Sequence, residues 1–210
     1  MEKNIISPLL RGLSMASNKN EYSMSFTAAS LLPAESLALS GVYAENRDWN
    51  QTRLQALQSN LIQKRSYSSI KRQVPELIKR LKNLSDRQIE QLISANDHEQ
   101  KYILWLAVCK TYPFLKEFAQ EIMYEHYHAF NYCISPADVS AFFDTKAMIH
   151  PKLQGLSVQT QKKVISETMT LLRQSGLISE KNEILPLFMT AALEVCLSEE
   201  DEEYRRIYPC

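Results

Sequence analysis

Apolar positions along this chain recur at helical spacing, and the clearest instance lies between Ser68 and Lys82. Turned at about 100° per residue, Ile70, Val74, Leu77, Ile78 and Leu81 fall on one arc. Ser68, Ser69, Lys71, Arg72, Lys79, Arg80 and Lys82 share the other side. The pattern predicts a helix packed by one face and presenting cations on the other. Pro75 leaves two options: it kinks this helix, or it stands in the first turn of a separate helix beginning near Val74. Upstream, Phe26 to Glu45 reads as helical, interrupted or kinked at Pro33. Asp48 is placed to cap a helix from Trp49 to Asn60, with Trp49, Leu54, Leu57 and Leu61 as its apolar stripe.

The second half continues in helices. Ser85-Asp86-Arg87-Gln88 has the form of a capping box and precedes Ile89, Leu92 and Ile93. Asp97 to Tyr112 follows, and its Tyr102–Cys109 stretch is apolar on every side, as expected of the structural centre. Pro113 opens a helix through Phe114, Phe118 and Ile122 to about Tyr127. Ser135-Pro136 starts another that ends near Lys146, and Ser157 caps a long helix to Ser175, with Gly176 placed to stop it. Leu177-Ile178 and Ile184-Leu185 flank a short turn, the signature of a small hairpin. Helix, turn, helix, hairpin is winged-helix order. The expected fold is therefore all-α: a helical bundle with helix-turn-helix or winged-helix-like subdomains and at most a short β-hairpin. The expected division is 1–83, carrying the basic helix, and 84–210.

Charge sharpens this picture. Lys and Arg total 24 against 24 Asp and Glu, yet Lys64 to Lys82 holds seven cations and one acid, Glu76. Such a face suits a phosphate backbone, although a solvated surface helix has the same pattern. The acidic run Glu199 to Glu203 reads either as a solvated helix end or as a tail that meets a basic partner or screens the cationic face. The longest apolar run is far shorter than the ~20 residues of a membrane span. Together with an amino end that lacks a signal-peptide pattern, this predicts a cytoplasmic protein with no membrane association. Cys109, Cys133, Cys196 and Cys210 are widely spaced and fit reduced thiols.

Catalytic patterns are missing. Four scattered glycines cannot build a phosphate cradle, and no Walker or dinucleotide motif is present. His98-Glu99 approaches a zinc-protease pattern, but Tyr102 stands where the second imidazole belongs. The expectation is a non-enzymatic protein with no cofactor, no metal and no small-molecule substrate.

A set of ordered residues extends across most of the chain: Tyr22-Ser23-Met24-Ser25-Phe26-Thr27, Glu35-Ser36, Asp48-Trp49 and Glu99-Gln100-Lys101-Tyr102. Leu104-Trp105-Leu106-Ala107, Tyr112-Pro113-Phe114, Phe142-Phe143, Lys146-Ala147, His150-Pro151 and Leu171 to Leu177 follow. In this order they resemble the BrxA family, the small helical component of bacteriophage-exclusion (BREX) defence loci. The resemblance implies a cytoplasmic, non-enzymatic protein of helix-turn-helix-like subdomains that binds double-stranded DNA and serves beside other BREX proteins. It assigns no contact residues, so these rest on the helix pattern. The first segment offers Lys64, Arg65, Ser66, Ser68, Ser69, Lys71, Arg72, Lys79, Arg80 and Lys82, expected to supply most of the affinity. The second helix offers Gln159, Lys162, Lys163 and Arg173, expected to supply any base contact. Two alternatives stay open: a scaffold whose basic face meets other defence components, and an RNA-binding helical protein resembling transcription antitermination factors.

Overall fold

The structure, a computed structural model, describes residues 22–63 and 66–210. A 3₁₀ turn, Ser25–Ala28, leads to α1 (Pro33–Asn46), α2 (Trp49–Gln58) and α3 (Tyr67–Leu81). Then come α4 (Asp86–Ser94), α5 (Asp97–Thr111), α6 (Pro113–Phe118) and α7 (Tyr124–His128), the last two joined by a π-helical turn, Ala119–Met123. The chain continues with α8 (Pro136–Ala147), α9 (Pro151–Gln154), α10 (Val158–Gln174) and α11 (Ala191–Leu197), and a 3₁₀ turn follows at Glu202–Ile207. The all-α expectation holds.

Capping chemistry sets most of these boundaries. Ser85, Asn96 and Ser135 each accept from a backbone N–H of the first helical turn while the residue three later reaches back, closing a capping box. Asp48 accepts from the N–H groups of Asn50 and Gln51, and Ser157 from that of Thr160. Gly176, at φ 75°, supplies the left-handed residue that ends α10. Pro33 begins a helix rather than kinking one, because the preceding Leu32 turns left-handed at φ 50°. Pro75, in contrast, lies inside a single helix: α3 runs through it, forgoing the one N–H that would have met the carbonyl of Lys71.

The core is one cluster of buried residues from Tyr22 to Tyr208, drawn from both sides of the 83/84 boundary. At its centre lies α5, where Trp105, Leu106 and Ala107 are fully buried. Trp105 Nε1 donates to the carbonyl of Ile207 at 3.1 Å, and the Tyr208 hydroxyl donates to the carbonyl of Tyr102 at 2.8 Å. The carboxyl-terminal segment is therefore a strap across α5. Three of its acids are engaged by cations of the bundle, while Asp201 and Glu202 stay exposed to solvent. Glu199 meets Arg87 at 3.6 Å, Glu200 meets Lys110 at 2.5 Å and Glu203 meets Lys116 at 3.0 Å. The buried Ile207 and Tyr208 draw the acidic run over α4–α6, where these cations stand.

Around α2 the packing departs from the expected stripe. Trp49, Leu57 and Leu61 pack half-buried against the core as expected, but Leu54 is 59% exposed and the fully buried positions are Thr52 and Ala56. Trp49, Thr52 and Ala56 form an i, i+3, i+7 row whose small members let α2 approach α1 and α3 closely. Trp49 itself stacks on Tyr43 at 3.9 Å between ring centroids.

Among the described residues, β pairing is confined to two isolated bridges. Ile178 faces Ile184 as expected of a small hairpin, and Cys133 faces Glu183, adding a third segment that the pattern had not indicated. Truncating Trp105 to Ala removes the largest buried side chain and its hydrogen bond to the strap. The unfolding free energy is expected to fall by about 3–5 kcal/mol, read from urea denaturation with the slope unchanged.

Candidate nucleic-acid interface

The exposed arc of α3 is narrower than the sequence wheel implied. At about 100° per residue, Ser68, Lys71, Arg72, Lys79 and Lys82 fall within roughly 100° of one another, with Pro75 among them. All five are solvent-exposed. Lys71 lies over the ring of Tyr67 at 4.8 Å from its centroid, which fixes the ammonium on the surface side. Ser66 stands at the N-cap, but its hydroxyl pairs with that of Ser68 at 2.6 Å rather than capping the helix, and Ser69 is half-buried. Lys64 and Arg65 lie outside the described residues.

Arg80 is a correction. It is only 3% exposed, on the flank of the apolar arc next to Leu77 and not beside Arg72. Its guanidinium donates to the carbonyl of Ser30 at 2.6 Å, to the carbonyl of Ala29, and through Nε to the Tyr112 hydroxyl at 3.3 Å. Tyr112 in turn donates to Glu76, which also accepts from Ser25 at 3.0 Å. Desolvation pulls the Arg80 pKa down to about 10, which leaves it charged at neutral pH. It is a structural latch, closed to any phosphate.

Lys79 is divided between two roles. Its Nζ donates to Ser25 at 3.0 Å and sits 4.8 Å from the Tyr112 ring centroid, so part of its charge serves this same network. Arg72 and Lys82 have no hydrogen-bond or ion-pair partner among the described residues. Several cations elsewhere are paired with carboxylates. Arg47 meets Glu90 at 2.6 Å, Lys146 meets Glu117 and Glu121 at 2.6 and 2.7 Å, Arg205 meets Glu194 at 2.8 Å and Arg206 meets Glu125 at 2.8 Å.

Sequence reasoning missed a neighbour. Arg53, exposed on α2 and likewise unpartnered among the described residues, lines a groove with Lys79 and Lys82 of α3. A wheel of α2 would have found it, since Arg53 and Asn50 share the face one turn along from Trp49.

On α10 the expected positions separate. Gln159, Lys162 and Lys163 are exposed on its first two turns. Arg173 is half-buried and donates to Asn182 at 2.6 Å, so it braces the hairpin turn instead of facing outward. Farther along, Gln174 accepts from the N–H of Leu31 at 2.8 Å, which ties this end of α10 to the segment that Arg80 holds.

Residues 20–201 match the BrxA family. The chain belongs to that family. Family membership points to a protein of BREX-related defence. No curated protein matches. A crystal structure of an uncharacterized protein from Magnetospirillum magneticum superposes with a TM-score of 0.79 at 18% identity, over 90% of this chain and 100% of that one. That likeness is one of fold. No helix among the described residues is long and apolar enough to cross a membrane.

The two kinds of basic residue on α3 separate in a stability assay. Arg80→Met keeps an apolar stem but leaves the carbonyls of Ala29 and Ser30 without their donor, at about 1–3 kcal/mol for each acceptor left dry. Its urea midpoint is expected to fall markedly. Lys71→Ala and Arg72→Ala are expected to stay within about 0.5 kcal/mol of the parent.

Proposed function

We propose that this chain is a non-enzymatic, cytoplasmic, double-stranded DNA-binding component of a BREX anti-phage system. The observation that carries the reading is the segregation of charge. Arg47, Lys146, Arg205 and Arg206 are each paired with carboxylates, while Arg72 and Lys82, joined by Lys71 and by Arg53 of α2, face solvent without a carboxylate, as do Lys162 and Lys163 at the start of α10. Unpaired like charges on one rigid face repel, and a polyanion relieves that repulsion while releasing its own counterions. The order α8, α9, α10, hairpin, with Cys133 bridged to the hairpin strand, supports a winged-helix reading of the second half. In that arrangement the exposed Gln159, Lys162 and Lys163 at the start of α10 are the positions suited to base edges.

Protein docking is a second reading, favoured by two exposed aromatic side chains. Phe130 is 80% exposed in the left-handed region at φ 59°, and Phe188 is 85% exposed. A bulky residue in that conformation costs about 1–2 kcal/mol, and the fold gains no burial from it. This fits a scaffold role beside other defence components, held together with DNA binding.

The deciding measurement is a gel shift comparing duplex DNA, single strands and RNA at several salt concentrations. Engagement of about four cations gives a slope near −0.9 per phosphate, so duplex affinity should fall by roughly two orders of magnitude between about 50 and 200 mM salt. Lys71→Ala with Arg72→Ala should weaken binding to all duplex sequences alike. Retention of parental affinity by that pair, or preference for RNA over duplex, would overturn the reading.

A further inference from the structure

The groove between α2 and α3 has a volume of about 500 Å³ and is lined by Trp49, Asn50, Arg53, Lys79, Lys82 and Asn83, with Pro75 and Ile78 completing its wall. No carboxylate is among these residues. Arg53 comes from the first half of α2 and Lys82 from the carboxyl-terminal cap of α3, so two separate helices bring cations to one concavity. Lys79 contributes its stem, because its ammonium is turned to Ser25 and the Tyr112 ring. Asn83 is fixed by its amide, which donates to the carbonyl of Lys79 at 3.1 Å and to Thr111 at 2.9 Å. Trp49 is held against Tyr43 at an interplanar angle of 10°. The walls are thus rigid, while Arg53 and Lys82 keep all their donors free among the described residues.

We infer that this groove seats a backbone phosphate of the DNA duplex, gripped by Arg53 from α2 and Lys82 from α3. The assignment rests on the DNA-binding reading and deepens it by placing a contact outside the basic helix. Two like charges sharing a concavity repel, and neither has a carboxylate beside it, whereas Arg47, only six residues before Arg53, meets both Asp86 and Glu90. Here a phosphodiester takes the place of the missing acid. The planar guanidinium can grip two phosphate oxygens at once, and the lysine adds a point charge from the opposite wall. A contact made from two packed helices also sets the orientation of both against the duplex, which a stripe on one helix cannot do.

The test measures duplex binding by the full chain across a salt series for Arg53→Ala, Lys82→Ala, the double variant, and Arg53→Lys. Arg87→Ala, which removes an exposed cation already paired with Glu199, is the control. Each single alanine variant should weaken all duplex sequences by the same factor and reduce the salt slope by about 1, and the double variant by about 2. Arg53→Lys should keep the slope with weaker affinity, and Arg87→Ala should match the parent. Unchanged melting temperatures would show that the losses come from the interface. Parental affinity and slope in the double variant, with binding impaired by Lys71→Ala and Arg72→Ala, would overturn the groove assignment and leave the DNA-binding reading standing. Failure of the parent chain itself to bind duplex DNA would overturn both.

Discussion

The buried guanidinium of Arg80 is the contact on which this architecture turns. One planar cation satisfies two carbonyls of the Ala29–Ser30 turn and, through Tyr112, joins α3 to the start of α6. The same turn is held from the other side by Gln174 of α10. Three parts of the chain far apart in sequence are therefore registered through a few polar bonds inside an apolar core. Removing an ion of this kind from water is costly, and the cost is met only because its donors find good acceptors and Glu76 lies close. The arrangement favours one packing of the amino-terminal segment over its alternatives, since any other would leave the charge dry and unpaired.

That latch also explains how α3 can be cationic on one side and structural on the other. Glu76 and Tyr112 draw Arg80 and part of Lys79 into the interior network, so the helix carries two classes of basic residue separated by little more than a quarter turn. The outward class is left without acids, while Glu199, Glu200 and Glu203 of the acidic run pair with Arg87, Lys110 and Lys116 across α4–α6. Net neutrality hides this sorting. It is the spatial distribution, fixed by the fold, that gives the surface a sign.

Much of the fold was legible in the sequence because capping residues and apolar periodicity are local signals. Ser85, Asp48, Ser157 and Gly176 each mark a boundary through a bond or a backbone conformation within a few residues. The errors arose where distant partners decide. Thr52 and Ala56 face inward because α1 and α3 need close approach, which no hydrophobicity count reveals. Arg80 is buried because carbonyls fifty residues away need a donor. Arg53 escaped notice because its significance lies in the groove it shares with the next helix. The ion pairs of Glu199, Glu200 and Glu203 went unread because their anchor, Ile207 and Tyr208, follows in a stretch too short to read as an element.

The strap over α5 has a consequence for how the molecule is made. The Tyr102–Cys109 stretch of α5 is apolar on every face, and its indole finds its hydrogen-bond acceptor 102 residues later in the chain, while Tyr208 reaches back 106 residues to Tyr102. During synthesis this central helix thus emerges long before the segment that seals it. Loop closure of that length comes late, after the local helices have formed, and until then a sticky surface is open to neighbouring nascent chains. Closure of the core thus waits on the strap, long after α5 itself has formed.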